Sequence, residues 1–410
     1  VGANYKHIWG NRAYTNTSIS TSIKKSDAHF LNIRSGESVF NVIEDQDVKN
    51  LRQVTHLKLM PMTKIEFGFD AGVNETSYDY YRKLTNNESP ANKIEFDKVV
   101  NTTNYAAFLT LKQNLFSRLI FSAGLRLDYN NYEKINLWSP RINLDYEIYK
   151  GKTNFIINAG LYNQNPPPIY IANETSNDLK SVSAYQHSLS LEHMVTPSTK
   201  LSFSAYQKKY TNSPILPGAT LHNDPTFLFD ELRMYNGIIS SGSAISDGLE
   251  ILIQKKKAEN FYGLVGGSIF NSTFTDYNGI KRNRNHNYRY IFNIVGGYRP
   301  NTDWEISIRW SYFGGRPYTP INLNASLLAD EQILHLEDFN EFRTPDYHSL
   351  FIHYEKRYNL KHSNLVLFFE VWNTYNRENI ETYFYSRVNN NIEKIVYFST
   401  IPVMGFGIEF

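Results

Sequence analysis

From one end to the other, this chain alternates bulky apolar residues with small or polar ones. Residues 65 to 73 read IEFGFDAGV, with Ile65, Phe67, Phe69, Ala71 and Val73 on one face and Glu66, Gly68, Asp70 and Gly72 on the other. At 304 to 312, Trp304, Ile306, Ile308, Trp310 and Tyr312 alternate with Glu305, Ser307, Arg309 and Ser311. Similar runs occupy 119–128, 141–148, 155–161, 201–207, 249–254, 347–357 and 365–372. A strand sends successive side chains to opposite faces, so a period of two is the signature of a sheet with two unlike faces. Spacing of the helical kind is nearly absent.

The pattern predicts about sixteen strands. They lie near 11–31, 37–60, 62–82, 97–113, 117–131, 137–149, 152–164, 183–196, 199–212, 243–257, 260–274, 286–300, 303–315, 342–358, 363–384 and 396–410. Their connections alternate in length. Short ones fall at 60–63, 114–117, 149–153, 196–199, 257–260, 299–303 and 358–363; long ones fall at 82–96, 164–182, 213–242, 274–285, 315–342 and 384–396. Strict alternation gathers the short turns at one end of an up-and-down sheet and the long loops at the other. Outer-membrane barrels have this asymmetry, with short periplasmic turns and long extracellular loops. A soluble sandwich or propeller would bury its apolar face in a core. A membrane barrel turns that face to lipid and lines a wet interior with the polar one. The fold class expected is therefore all-β, an antiparallel up-and-down transmembrane barrel over 1–410.

Composition excludes several function classes. Cysteine is absent, which removes disulfides, thiolate metal sites and a cysteine nucleophile. The formal charge is +2, without a basic patch at helical spacing, which argues against nucleic acid. The 11 His residues are dispersed, with no pair at metal-binding spacing, and HLEDFNEF at 335–342 lacks the oxygen spacing and glycine of a calcium loop. No metal or cofactor is expected. No G-x-S-x-G stretch is present and the chain is not read as an enzyme. Aromatics, in contrast, make up 15%, with 30 Tyr and 26 Phe.

Several stretches resemble the C-terminal barrel of TonB-dependent outer-membrane receptors, in particular those of Bacteroidota. They are NQNPPPIY at 163–170, SAYQHSLSLEHMVTPSTKLSFSAYQKKYTNSP at 183–214, DGLEILIQKK at 247–256, NHNYRYIFNIVGGYRP at 285–300, FGGRPYTP at 313–320, FFEVWNTYNRENI at 368–380 and IPVMGFGIEF at 401–410. Ser190 stands where the family commonly has Gly. The resemblance runs over most of 50–410. It implies an active-transport receptor whose loops capture a scarce nutrient and whose plug is displaced by TonB. Family members carry a plug, a TonB-binding box and a barrel of about 22 strands. The chain shows neither plug nor box, so the resemblance implies a barrel whose plug and first strands lie outside this sequence. The rival reading is a passive porin of about sixteen strands. A third is a receptor-like barrel serving as one subunit of an outer-membrane complex. Implied partners are outer-membrane lipid and lipopolysaccharide, TonB through a segment outside this chain, the outer-membrane assembly machinery, and a surface lipoprotein. Phe406, Ile408 and Phe410 resemble the terminal signal which that machinery reads.

Candidate ligand contacts are the aromatics in or beside the long loops, Tyr162, Tyr170, Phe227, Phe229, Tyr235, Tyr318 and Phe339, with Arg316. Such rings can stack on unsaturated ligands, and they can equally form the upper interfacial girdle or pack loop on loop. Gly314-Gly315-Arg316-Pro317-Tyr318 reads first as punctuation that re-aims the chain, and Pro166-Pro167-Pro168 as a stiff loop entry. The cluster Lys281, Arg282, Arg284, His286 and Arg289 reads as a solvated rim, with attraction of an anionic substrate or lipid phosphate as the sharper alternative.

Overall fold

A computed structural model describes residues 1–31, 36, 38–83, 93–173, 179–215 and 237–409. Its first half contains β1 (Gly2–Ile8), β2 (Ala13–Leu31), β3 (Ser38–Met60), β4 (Thr63–Lys83), β5 (Lys93–Leu115), β6 (Leu119–Asn130), β7 (Asn136–Tyr149), β8 (Thr153–Gln164) and a short helix, α1 (Pro168–Ala172). Next come β9 (Val182–Thr196), β10 (Thr199–Ile215), β11 (Ile239–Ala258), β12 (Phe261–Thr275), β13 (Lys281–Asn283), β14 (Tyr290–Tyr298) and β15 (Trp304–Phe313). The last part holds β16 (Pro317–Tyr318), α2 (Leu323–Ala329), β17 (Phe342–Arg343), β18 (Tyr347–Asn359), β19 (Asn364–Trp372), β20 (Ile380–Ser386), β21 (Asn391–Val396) and β22 (Ile401–Glu409).

Consecutive strands pair antiparallel in a single 18-stranded sheet. Within it, β13 pairs with β12 alone, beside the wall, which leaves seventeen wall strands. This is the antiparallel up-and-down membrane barrel that the alternation predicts. Among the described residues no ladder joins β1 to β22. Registers carry the apolar face from strand to strand. Phe67 lies opposite Leu109, and Leu109 opposite Leu125. Farther round, Leu191 meets Phe203 and Phe203 meets Ile251, and near the C-terminus Phe369 meets Met404 and Leu367 meets Phe406. These side chains stand exposed on the outer surface, where lipid is their solvent.

All sixteen expected strands are present, with two differences. The strand β1, GANYKHI, precedes them; its two faces are not contrasted in hydrophobicity, so alternation did not mark it. The strand expected to run from 363 to 384 stops at Trp372. Asn373 and Asn376 adopt positive φ of 49° and 52°, and the Asn373 amide donates to the carbonyls of Arg377 and Phe398. Asparagine tolerates the left-handed region and closes local turns. The strand therefore breaks there and a separate hairpin, β20–β21, rises before the chain returns as β22.

Strands β3 and β5 have 23 residues each. At about 3.4 Å per residue they are more than twice as long as a hydrocarbon core of about 30 Å is thick, so their loop-side halves project beyond it. There Tyr78, Tyr80, Ile94 and Val100 pack under Ile169, Tyr170 and Ala172 of α1, with Leu179 and Ile238. Tyr80 stacks on Phe96 at 4.9 Å. This is the main buried apolar cluster, and it holds the loop after β8 down onto the wall.

Candidate functional site

The polar face of the wall has two chemistries. On β3–β6 it is ionic: Arg126 bonds Asp70 at 2.7 Å and Asp128 at 2.9 Å, and Arg52 and Arg126 lie over the Phe108 ring at 5.4 and 5.9 Å. On β7–β12 hydroxyl and amide bonds join it, beside the Lys200–Glu192 ion pair. The Asn158 amide donates to Ser188, Asn143 donates to Asn158, and Ser190 meets Ser204 and Ser246 meets Ser272 within 2.8 Å. Some charges on this face have no ion-pair partner among the described residues, Arg141 of β7 among them.

Another lies on β15. Arg309 lies directly opposite Phe351 of β18, and its guanidinium sits 4.1 Å from the centre of that ring. Arg309 makes no ion pair among the described residues. Around it is a pocket of about 370 Å³. Phe351, Trp372 and Phe398 form one wall, with ring centres 5.8 to 6.1 Å apart. Phe313 stacks on Tyr347 at 5.1 Å, and Tyr347 meets Tyr397 edge-on at 5.4 Å. Arg316 adds a second guanidinium, and Glu381 is the one carboxylate in the lining. The residues come from β15, β18, β19 and both ends of the β20–β21 hairpin, so no single stretch of sequence contains the site. Two cations among flat apolar rings favour a ligand that is at once anionic and unsaturated, because a guanidinium pairs with anionic oxygens and the rings offer flat faces for stacking.

The loops over the pocket are fastened by buried amides. Asn340 donates to the Asn283 carbonyl at 3.0 Å and to Asn285 at 2.6 Å, and Asn283 returns a bond to the Asn340 carbonyl at 2.9 Å. Arg343 reaches the carbonyls of Asn287 and Gly315. Asp346 accepts from both Tyr290 and Tyr312 and from the Gly315 amide. Partial desolvation and the nearby guanidiniums of Arg316 and Arg284 lower the pKa of His286 from its ordinary value.

Asp276 organises the turn after β12. Its carboxylate accepts from the amides of Asn278 and Ile280 and from Arg282 at 2.7 Å. Burial pushes its pKa up, but Arg282 and the two amides outweigh burial and hold it below the usual aspartate value. A carboxylate with a depressed folded pKa contributes stability that is complete above its unfolded pKa, about 4, and is lost as pH falls through the folded value. Hydrogen-exchange protection of the Ile280 amide is therefore expected to hold from pH 7 to about pH 4 and to drop at lower pH. In Asp276→Asn it is expected to be low and insensitive to pH. Wild-type protection that survives to pH 2 would count against this account.

The structure scatters the candidates taken from sequence. Arg316 lines the pocket. Tyr318 lies near it, against Phe342 and Tyr383. Phe339 packs edge-on to Phe274, under Arg282. Tyr162 lies across the wall, with Arg141 4.5 Å from its ring centre, and Tyr170 is 5% exposed in the α1 cluster. Phe227, Phe229 and Tyr235 fall outside the described residues, as does Phe410; Phe406 and Ile408 face outward on β22. Of the cationic cluster, Arg282 is taken by Asp276 and the Glu337 carbonyl, and Arg284 lies over the Tyr210 ring. Arg309, Phe351 and Trp372 were not singled out by sequence. A usable signal existed for one of them: Phe351 is a bulky ring on the parity of β18 that after Tyr347 otherwise carries Ser349, His353, Glu355 and Arg357. Among the described residues, no group of His, Asp and Glu is placed to hold a metal ion.

A family model described as "TonB dependent receptor-like, beta-barrel" matches residues 1–373. No curated protein matches the chain. Among solved structures, the pyoverdine outer membrane receptor FpvA from Pseudomonas aeruginosa PAO1 superposes with a TM-score of 0.71 at 13% identity, covering 100% of this chain and 61% of that one. The siderophore receptor PiuA from Acinetobacter baumannii gives 0.70 at 9% identity, with 100% and 63% covered. The ferric-catecholate import receptor Fiu from K12 E. coli gives 0.68 at 11% identity, with 100% and 63% covered. The chain thus spans less than two thirds of the length of these receptors, and at such identities the likeness is one of fold.

Proposed function

Since the chain belongs to the TonB-dependent receptor-like β-barrel family, a family of Gram-negative outer-membrane proteins that are not enzymes, we propose that it forms the wall of an active-transport receptor. The long loops and the pocket beneath them capture a scarce nutrient, and TonB, acting through a segment outside this chain, supplies the energy for import. The carrying observation is the aromatic pocket at Arg309 and Arg316, two cations facing one carboxylate. It suits a compact anionic ligand with a flat unsaturated group. A ferric chelate is such a ligand, and the fold neighbours named for siderophores point the same way. A Bacteroidota-type receptor, which works with a surface lipoprotein, is the finer form of this reading, and Phe406, Ile408 and Phe410 serve as its assembly signal.

Trp372 lies in the pocket and reports on it. The test is to titrate the refolded full chain in detergent with a ferric catecholate, ferric citrate and a neutral oligosaccharide. Saturable tryptophan quenching by at least one ferric chelate, and none by the sugar, is expected. Quenching by none of them, together with steady conductance in planar bilayers, would reject the receptor in favour of the porin.

A further inference from the structure

The short-turn end, opposite the pocket, repeats one arrangement. In turn after turn a large apolar side chain stands exposed beside a lysine or arginine. Phe116 is 85% exposed and precedes Arg118; Tyr149 is 66% exposed and precedes Lys150 and Lys152. Phe261 follows Lys257, and Leu360 precedes Lys361. Lys150, Lys152, Lys257 and Lys361 make no ion pair among the described residues. The carboxylates in these turns are Glu259 and Asp303 alone.

Two further lysines stand on the lipid-facing side just inside this rim. Lys255 alternates in step with the outward Ile251 and Ile253. Lys356 lies opposite the outward Trp304, with its ammonium 5.7 Å from the Tyr358 ring centre. Phe261, Tyr298, Trp304 and Tyr354 continue that belt of rings. Rings at this level sit at the boundary between acyl chains and head groups, and a lysine beside them extends its ammonium into the phosphate layer. At the loop end, Arg282 is paired with Asp276 and Lys394 with Glu378.

We propose that this rim binds anionic glycerophospholipid of the inner leaflet. Lipid phosphates lie against Lys150, Lys152 and Lys356, and acyl chains against Phe116, Tyr149 and Phe261. A lysine near an anionic leaflet gains about 1 kcal/mol, roughly fivefold in preference; Lys150 and Lys152 act together at the β7–β8 turn, and Lys356 acts separately on β18. The lipid preference fixes the depth and tilt of the barrel independently of any ligand at the opposite mouth.

The test uses the full chain in mixed micelles with equal phosphatidylglycerol and phosphatidylethanolamine, with retained lipids counted by native mass spectrometry. Phosphatidylglycerol is expected to exceed phosphatidylethanolamine by about an order of magnitude or more. Lys150→Gln/Lys152→Gln/Lys356→Gln is expected to bring the two close to parity. Lys281→Gln/Arg284→Gln, at the loop end, is expected to keep the wild-type ratio. Folding is checked by heat-modifiable migration; should the triple variant not fold, Lys356→Gln alone is expected to lower the ratio about fivefold. Equal retention by the wild type overturns the proposal. So does a preference that survives the rim substitutions, which would leave an acidic protein as the rim's partner, or one that the loop-end variant loses equally.

Discussion

The double variant Arg309→Met/Arg316→Met is expected to lose at least a hundredfold in affinity for any ferric chelate that the wild type binds. Both guanidiniums line the pocket and Glu381 is the one counter-charge, so the net field at the ligand is positive and becomes negative when both are removed. A hydrogen bond to a charged partner contributes about 1.5–3 kcal/mol, and two such losses reach two to four orders of magnitude. Methionine keeps length and apolar contact, so the stacking of Phe351 against Trp372 should persist. Lysine at 309 is expected to recover only part of the affinity, because it keeps the charge and loses the planar fork that lies over Phe351. Tryptophan quenching at several ionic strengths measures this. The contribution of Arg309 should fall as salt rises, since its side chain is exposed. Unchanged affinity in the double variant would remove this pocket from the binding path.

A single methyl group at Gly315 is expected to dismantle the loop layer while leaving the barrel intact. A Cβ there would lie 1.8 Å from the Thr344 carbonyl oxygen, and one at Gly314 would lie 1.9 Å from that of Tyr288. Both clashes are with backbone, so neither is relieved by a rotamer change. The Gly315 amide is also held by Asp346 and its carbonyl by Arg343. Moving the segment therefore breaks both bonds and withdraws Arg316 from the pocket. Strain of this kind costs several kcal/mol, much more than a loop layer with few apolar contacts can absorb. Gly315→Ala should become sensitive to protease between residues 314 and 346 and lose ligand quenching. Its heat-modifiable migration should stay that of the wild type, because the wall ladders lie elsewhere. Gly279→Ala makes a useful contrast. Its φ is +80° and nothing lies within 4 Å of its Cβ, so only local conformational strain is expected.

The two glycines also show how sequence reading can name the right residues for an incomplete reason. As punctuation, Gly314 and Gly315 mark a place where the chain is re-aimed from strand into loop. Neither takes a positive φ. They are required because two other backbone segments pass too close for any side chain. Asn373, Asn376 and Asn379 were legible as a group in FFEVWNTYNRENI, yet alternation through Phe368, Glu370 and Trp372 extended the strand across them. Local propensity to turn prevailed there because the Asn373 amide satisfies the Arg377 carbonyl within the turn and the Phe398 carbonyl brought in by the returning chain.

What the sequence by itself determined was the wall. Period-two alternation specifies which face meets lipid, since a slip of one residue would turn Phe67, Leu109 and Ile251 inward together. The alternation of turn and loop lengths specifies direction, and with it which end faces outward. These signals are local, and they placed sixteen of the seventeen wall strands. The pocket is another matter. Arg309, Phe351, Trp372 and Tyr397 are spread over nearly ninety residues, and no local stretch of sequence brings them together. Cross-strand register sets Arg309 opposite Phe351, and the return of the chain after the β20–β21 hairpin carries Tyr397 and Phe398 to the same place. Only the tertiary structure could decide that, because a binding site depends on which strands become neighbours, and neighbours are chosen by backbone hydrogen bonds that carry no residue identity.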